Sequence, residues 1–333
     1  MSSLRPFCPS AWLAAPAAVL LLLTPASLSP VQAQAAQATP APQQAGADPA
    51  SASQSQTTVA ATAQPPGEQR GITARAIDKV KQVAKSAGDI FSRVPCLPPK
   101  GASKPMGSLP HVANKLVEGR PVVIVAFGSS STAGFGASSP EFNYPNRLAA
   151  QLRRQYPTAD ITVVNAGVGG EDAPEMMKRL QTQVIDVHPD LVIWQVGTNA
   201  VLRNLDPGDT AKLVEDGITR IQAGGGADIV LVDPQYSPQV NQRAESAGKM
   251  VKLLGKVAEL RHVGIFPRFE VMRAWHEKQA IPVEGFVIAD GLHMNDWGYA
   301  CFAQLLGDDI IRSVGQIKLG VNVPADVRTY RPM

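Results

Sequence analysis

The sequence has few cysteines, few aromatic residues and almost no excess of charge. Cysteine occurs three times in 333 residues, aromatic side chains make up 5%, and 31 basic residues face 28 acidic ones. No Cys-x-x-Cys pair or Cys/His cluster is present, so nothing indicates a zinc site of that kind. The near balance of charge gives no basis for binding nucleic acid.

Several catalytic and cofactor motifs are also missing. The sequence has no Gly-x4-Gly-Lys phosphate loop and no His-Glu-x-x-His zinc motif. The Gly-x-Ser-x-Gly elbow of α/β-hydrolases is absent because Thr132 stands where its second glycine should be. Gly167-Val-Gly-Gly170 hints at a dinucleotide loop, but Asp172 occupies the place of the third glycine.

The N-terminus has the features of a signal peptide. Arg5 precedes an apolar run, Ala11–Leu23, that is too short to span a bilayer comfortably. Small residues at Val31–Ala33 or at Ala33–Ala35 provide a cleavage site. We therefore predict a signal peptide over residues 1–33 and an exported protein, either periplasmic or secreted. An uncleaved N-terminal anchor is the alternative.

A linker and a helical extension are predicted to follow. Residues 34–67 are almost wholly Ala, Gln, Pro, Ser and Thr, which cannot bury enough apolar surface to offset the loss of chain entropy. We predict a disordered linker over 34–70 and an amphipathic helical extension over 71–95, since apolar residues in 72–94 recur at helical spacing opposite basic ones. That basic face would contact an envelope or membrane surface, or the helix would pack on its own domain or a partner.

Residues 96–333 are predicted to form one catalytic domain of alternating strands and helices. The predicted strands are Pro121–Phe127, Ile161–Asn165, Asp190–Val196, Asp228–Val232 and Val263–Phe266. The predicted helices are Tyr144–Gln155, Ala173–Val187, Asp209–Ala223, Val240–Leu260, Phe269–Gln279 and Asp296–Ser313. Such alternation indicates right-handed βαβ crossovers and a parallel sheet covered on both faces.

Hydroxyl-rich and glycine-rich segments follow the first three strands. Ser129–Ser131 follow the first strand, Asn165–Gly170 the second and Gly197–Asn199 the third. Because the carboxyl ends of parallel strands share one edge of the sheet, these segments are expected to converge. Asp290 and His293, just before the last helix, are placed to close over the same edge.

These residues favour nucleophilic catalysis by a serine. One of Ser129, Ser130 and Ser131 would attack an ester carbonyl, His293 would take its proton, and Asp290 would orient the imidazole. The spacing alone does not choose among the three serines. Since such a triad requires no metal and no cofactor, the sequence predicts a serine esterase whose partner is an ester substrate.

The segment Pro121–Ser313 resembles the SGNH or GDSL hydrolase family. Gly128-Ser-Ser-Ser-Thr-Ala-Gly134 matches the family's Gly-Asp-Ser-x-x-x-Gly block with Ser130 at the nucleophile, and Asp290-x-x-His293 matches its acid and base. Asn165-x-Gly-x-x-Gly170 and Gly197-Thr-Asn199 match two further blocks. The resemblance implies a three-layer α/β/α fold around a five-stranded, parallel, doubly wound sheet of the flavodoxin type.

The resemblance also implies an oxyanion hole. Ser130 and Gly170 would supply backbone N–H groups, and Asn199 would supply its side-chain amide. Taken singly, Gly170 has the alternative of serving a positive φ and Asn199 of forming a left-handed turn. Ser129 and Ala200 each replace a common aspartate beside a catalytic position, which affects substrate fit more than chemistry.

A second carboxylate–histidine pair competes with the first. Glu259 and His262 have the same spacing as Asp290 and His293. They fall at the end of a long polar helix and are interpreted as solvated surface residues. Taken alone, Asp290 has the alternative of a capping residue and His293 that of a surface histidine.

The substrate is expected to be a small acyl group, such as acetyl, on an envelope or extracellular carbohydrate. The sequence has no distinctive apolar lid segment and few aromatic residues, although four could line a cleft: Phe135, Tyr236, Trp275 and Trp297. Lysophospholipase or thioesterase activity, O-acyl transfer and an inert glycan-binding domain are the alternatives. Acyl transfer differs only in whether an alcohol replaces water.

The two cysteines outside the predicted signal peptide are candidates for a disulfide. Cys96 stands just ahead of the domain and Cys301 in the last predicted helix. In an oxidising compartment two remaining cysteines tend to pair. The alternative is that Cys301 is a free, buried core residue.

Overall fold

The fold is described from a computed structural model covering residues 91–92, 94–99 and 106–319, with only the backbone described for 316–319. The predicted signal peptide (1–33), the linker (34–70) and nearly all of the helical extension (71–95), including its basic face, lie outside these residues. Within the described part of the chain, no helix combines the length and apolar character needed to cross a membrane.

Five parallel strands form a single sheet. They are β1 (Val122–Gly128), β2 (Ile161–Gly167), β3 (Leu191–Gln195), β4 (Asp228–Val232) and β5 (Gly264–Phe266). Their order is β2-β1-β3-β4-β5, and every neighbouring pair is parallel. This is the doubly wound order of the flavodoxin type, so the predicted fold class is confirmed.

Helices connect the strands and cover both faces of the sheet. They are α1 (Pro110–Val117), α2 (Ser130–Ala133), α3 (Tyr144–Gln155), α4 (Ala173–Gln183), α5 (Thr198–Leu202), α6 (Pro207–Ala223), α7 (Pro238–Asn241), α8 (Ala244–Arg261), α9 (Arg268–Glu277) and α10 (Asp296–Leu319). Short 3-10 turns lie at Pro140–Phe142, Ile185–Val187 and Val283–Gly285.

Three predicted helices differ from the structure. The helix predicted over Asp296–Ser313 continues to Leu319. The helix predicted over Ala173–Val187 ends at Gln183, and a separate 3-10 turn follows. The helix predicted over Val240–Leu260 is divided into α7 and α8, because the backbone of Arg243 leaves the helical region, with φ −123° and ψ 45°. The break places the start of α8 beside the loops that follow the strands.

The apolar residues of the strands alternate between two cores. Ile124 and Ala126 of β1 belong to the core on one face of the sheet, whereas Val125 and Phe127 belong to the core on the other. Because successive side chains of a strand point to opposite faces, a strand buried on both faces needs an unbroken apolar run. This explains why β1 shows no alternation of apolar and polar residues.

The segment before the domain is fixed to the start of α10. The structure joins Cys96 and Cys301 by a disulfide, with the two Cα atoms 5.3 Å apart. The indole Nε1 of Trp297 donates to the Val94 carbonyl at 2.9 Å, and the Phe91 ring contacts the Trp297 ring edge-on. The N-terminal segment is therefore held against the helix that follows the His293 loop.

We expect that removing the disulfide destabilises the fold. The two cysteines are separated by 205 positions, and closing so long a loop in the unfolded chain contributes about 5 kcal/mol in the entropy model. Chemical unfolding of a Cys96→Ala, Cys301→Ala double variant should show a loss of this order relative to the oxidised protein. Non-reducing peptide mapping that finds both thiols free, in protein made in an oxidising compartment, would contradict the bond.

Candidate active site

The turn after β1 presents three consecutive serines at the carboxyl edge of the sheet. It is very tightly packed: a Cβ on Gly128 would lie 2.3 Å from Thr132 Oγ1, and one on Gly167 would lie 2.1 Å from the Ala133 nitrogen. Both contacts are shorter than non-bonded atoms allow. Gly134, with φ 100°, ends helix α2 in the left-handed region that favours glycine. Glycines at these positions therefore let α2 lie directly against the ends of two strands.

Only the middle serine is accessible. Ser129 and Ser131 are each 2% exposed, whereas Ser130 is partly exposed. The hydroxyl of Ser129 donates to Gln195 Oε1 at 3.1 Å, and that of Ser131 donates to Gln235 Oε1 at 2.8 Å. The two flanking hydroxyls are thus occupied within the fold, and the structure distinguishes Ser130 from its neighbours where the spacing could not.

Ser130, His293 and Asp290 form one hydrogen-bonded series. The His293 Nε2 lies 2.9 Å from Ser130 Oγ, and its Nδ1 lies 2.6 Å from Asp290 Oδ2. The other carboxylate oxygen of Asp290 accepts the backbone N–H groups of Leu292 and His293, at 2.8 and 2.9 Å. This geometry fits a nucleophile, a base and a group that orients the base.

The charge of Asp290 is stabilised by these contacts. Partial burial acts to raise the pKa of this carboxyl, but the His293 side chain and the two backbone N–H donors outweigh it, so the pKa is lowered overall. Asp290 therefore stays ionised beside the imidazole and can stabilise an imidazolium.

The second carboxylate–histidine pair, Glu259 and His262, lies away from the three serines. His262 ends α8 in the left-handed conformation, with φ 53°, and its N–H donates to the Glu259 carbonyl. Since α8 leads into β5, its last residues lie at the amino edge of the parallel sheet, opposite the three serines. The structure therefore does not bring this pair to the site.

The glycine-rich loop after β2 and the start of α5 meet beside the serine turn. Asn199 Nδ2 donates to the Glu171 carbonyl at 2.7 Å, which joins the two segments and leaves one hydrogen of that amide for another acceptor. Gly170 has φ 80°, whereas Asn199 lies inside α5 and is not in the left-handed region. A left-handed turn is therefore not the reason for Asn199, and the oxyanion roles of Ser130, Gly170 and Asn199 stay predictions.

Two arginines that sequence reasoning missed hold this loop. Arg179 donates to the carbonyls of Gly128 and Ala166 at 2.9 and 2.8 Å, and its guanidinium lies over the Phe127 ring. Arg203 donates to the Gly170 carbonyl and forms an ion pair with Asp172. No sequence motif marks these residues, because each acts through contacts formed only in the folded chain.

A buried polar layer lies beneath the loop after β4. The fully buried Arg268 donates through Nε to the Asp233 carbonyl at 3.1 Å and through Nη2 to Thr198 Oγ1 at 3.4 Å. Burial raises the pKa of Asp233 to about 7, and burial lowers the pKa of Arg268 to about 10. Burial also raises the pKa of nearby Tyr144 to about 12. The layer ties β4 to the start of α5.

The four aromatic residues considered for a cleft have different environments. Trp275 and Trp297 are buried in the core, and Tyr236 is half-buried against Phe269. Phe135 alone among the four is widely exposed, and its ring contacts that of His293 with centroids 4.4 Å apart. Within the described residues, no group of three His, Cys, Asp or Glu side chains is placed to hold a metal ion.

The sequence is similar to a known protein family and to a known enzyme. The model of the non-GDSL lipase-like family matches residues 95–316. An arylesterase from Vibrio mimicus is 24% identical over 190 residues, which is 57% of this chain and 88% of that protein.

Two solved structures of a two-domain esterase active on acetylated mannans share the fold. One, co-crystallised with mannopentaose, has a TM-score of 0.55 at 20% identity and covers 63% of this chain and 55% of that chain. The other has a TM-score of 0.53 at 19% identity and covers 68% of this chain and 56% of that chain. The present chain thus spans little more than half the length of those esterases.

The family match covers two thirds of the chain, including the three serines, the glycine-rich loop and the Asp290–His293 segment. Together with the arylesterase relative, it identifies an ester-hydrolysing enzyme. The term non-GDSL in the family name agrees with position 129 of this chain, where serine replaces the aspartate of the Gly-Asp-Ser motif. The chain belongs to the non-GDSL lipase-like family.

Proposed function

We propose that this protein is a serine esterase that works through an acyl-enzyme on Ser130. The observation that carries the proposal is the continuous hydrogen-bonded series from Ser130 Oγ through the His293 ring to Asp290, with links of 2.9 and 2.6 Å. A hydroxyl and an imidazole at that distance can exchange a proton without any rearrangement of the fold.

Each step of the reaction is assigned to one group. His293 takes the hydroxyl proton of Ser130 as the Ser130 oxygen attacks the ester carbonyl. It then returns that proton to the leaving alcohol. Water, activated by the same histidine, releases the acid and restores the serine. The oxyanion would be bound by the N–H groups of Ser130 and Gly170 and by the second amide hydrogen of Asn199.

A small acyl group on a carbohydrate is the proposed substrate. The structural relatives of the same fold act on acetylated mannans, which supports a carbohydrate ester without establishing it for this chain. The side chains of Asp290 and His293 are 32% and 13% exposed, so both reach solvent at the catalytic edge. The sequence has no distinctive apolar lid segment to cover a long acyl chain.

We also propose that the protein is exported. A signal peptide over 1–33 and work in the periplasm or outside the cell fit the Cys96–Cys301 disulfide, since such bonds persist in oxidising compartments. The linker over 34–70 would hold the catalytic domain off a membrane or wall. The alternative role of this region is contact of the basic residues of 72–94 with such a surface.

We predict that the triad residues are required for ester hydrolysis. Ser130→Ala and His293→Ala should each lower kcat/KM for p-nitrophenyl acetate by roughly 10⁴-fold or more, and Asp290→Asn by roughly 10²–10⁴-fold, because the base loses its orientation. Stopped-flow or steady-state hydrolysis assays measure this directly, with circular dichroism to verify folding.

The second carboxylate–histidine pair offers a matched control. His262→Asn keeps a residue that tolerates the left-handed backbone at φ 53°, and it should leave kcat/KM unchanged. Full activity in Ser130→Ala would overturn the assignment. Failure of a fluorophosphonate to label Ser130 in folded protein would instead favour an inert binding domain.

A further prediction concerns the length of the acyl group. Rates on p-nitrophenyl esters should fall as the acyl chain lengthens from acetyl, and acetylated oligosaccharides should release acetate. A rate that rises steadily from acetyl to dodecanoyl would contradict the carbohydrate assignment and favour a lysophospholipase or thioesterase. Transfer of acetyl to an added sugar in preference to water, seen by product analysis, would indicate an acyltransferase.

A further inference from the structure

Phe135 is an exposed, large apolar residue whose ring packs on the base of the catalytic series. The residue is 59% exposed, and it is the only aromatic one among the exposed large hydrophobic residues of the described chain. The ring contacts the His293 imidazole at a centroid distance of 4.4 Å and a tilt of 53°. Ligand sites are lined by aromatic side chains beside a few polar groups, and the Phe135 ring next to His293 has that arrangement.

The backbone around Phe135 is fixed rather than loose. Its N–H donates to the Ser130 carbonyl at 3.0 Å, and its carbonyl accepts the Tyr299 hydroxyl at 2.7 Å. The next residue, Gly136, has φ 92°, and a Cβ there would lie 2.5 Å from the Met294 carbonyl oxygen. The ring is therefore presented to solvent by contacts with both the serine turn and the histidine loop.

The reaction places the alcohol portion of the ester next to this ring. His293 Nε2 must reach the leaving oxygen to protonate it, so the alcohol lies on the histidine side of Ser130. The carbonyl oxygen points instead toward the predicted oxyanion donors of Gly170 and Asn199. Phe135 packs on the histidine and so faces the alcohol rather than the acyl group.

We propose that Phe135 is a specificity-determining residue that binds the pyranose ring carrying the ester. A pyranose has a face of C–H groups that packs on an aromatic ring while its hydroxyls stay in water. This inference rests on the proposed function, and it adds that the carbohydrate is recognised through its ring on the leaving-group side.

The test holds the acetyl group constant and varies the alcohol. Phe135→Ala should lower kcat/KM for an acetylated methyl pyranoside by about 3–10-fold, the range expected for loss of one ring contact, mainly through KM. Ethyl acetate, which has no ring, should lose little. Phe135→Tyr keeps the ring and should retain the wild-type preference. Leu260→Ala serves as the control, because Leu260 is an exposed apolar residue at the far edge of the sheet.

Three other outcomes decide against the inference. An equal loss of kcat on ethyl acetate and the pyranoside would show that Phe135 only supports His293. A loss confined to p-nitrophenyl acetate would identify an aryl alcohol as the occupant. A changed acyl-chain profile would place the acyl group on the ring. Wild-type protein that hydrolyses none of these acetates would instead overturn the proposed function itself.

A separate set of contacts singles out Gln235, in the loop after β4. The residue is buried, with 1% of its surface exposed. Oε1 accepts the Ser131 hydroxyl at 2.8 Å, and Nε2 donates to the Leu292 carbonyl at 2.6 Å. One buried amide thus bridges the residue after the nucleophile and the residue before the base.

We infer that Gln235 is a positioning residue that sets the separation of Ser130 and His293. The two catalytic residues lie on segments 163 positions apart, and the amide gives those segments a short, direct connection. Its backbone N–H also donates to Thr198 Oγ1 at 3.4 Å, which links the same residue to the start of α5.

Isosteric substitutions test this role. Gln235→Met keeps the shape but removes both hydrogen bonds, and it should lower kcat on ethyl acetate by about 10–100-fold, the cost of misplacing reacting groups by about 1 Å, with KM nearly unchanged. Gln235→Glu still accepts from Ser131 but cannot donate to Leu292 and should fall in between. The rate of fluorophosphonate labelling of Ser130 should fall in parallel.

Gln151→Leu provides the matched control, because this glutamine also loses two hydrogen bonds, to Gln304 and Asp308, away from the site. It should change thermal stability without changing kcat. If Gln235→Met is folded at the assay temperature and keeps kcat within two-fold of the wild type, the positioning role is wrong. It is equally wrong if kcat falls only in proportion to the folded fraction.

Discussion

The site depends on how closely the turn after β1 approaches the ends of its neighbouring strands. Neither Gly128 nor Gly167 has room for a Cβ, since it would meet Thr132 or the Ala133 backbone. The approach lets Ser129 donate both its N–H and its hydroxyl to one oxygen of Gln195, at the end of β3. With both flanking serines turned into the fold, Ser130 is the residue that α2 presents to His293.

The replacement of aspartate by Ser129 follows from the same constraint. Position 129 is nearly fully buried and faces the amide oxygen of Gln195, which also accepts the Thr132 hydroxyl. A carboxylate there would place a buried negative charge against an acceptor, with no hydrogen to donate, at high cost. Serine can instead donate its hydroxyl to that oxygen, so the departure from the Gly-Asp-Ser pattern is compatible with the glutamine.

Local sequence was sufficient for the strands and for the triad candidates, but not for the residues that hold them. Apolar runs predicted the sheet, and the spacing of Asp290 and His293 marked them. By contrast, Gln235 contacts Ser131 across 104 positions and Arg179 contacts Gly128 across 51, and no local pattern records such contacts. The short helices α2 and α5 were missed because one or two turns leave no periodicity to detect. The division of α7 from α8 was missed because Arg243 is an ordinary helix former.

The loop that bears His293 is fixed on both sides, which keeps the imidazole at hydrogen-bond distance from Ser130. On its amino side Gln235 holds the Leu292 carbonyl, and on its carboxyl side Asp296 accepts the backbone N–H of Ser138. Tyr299, one turn into α10, donates to Phe135, while the disulfide at Cys301 anchors the next part of that helix. A base held at this many points loses little entropy when it meets the substrate. The fold thus orients His293 before the substrate binds. The free energy of substrate binding is not spent on ordering the base and can contribute to selecting the ester.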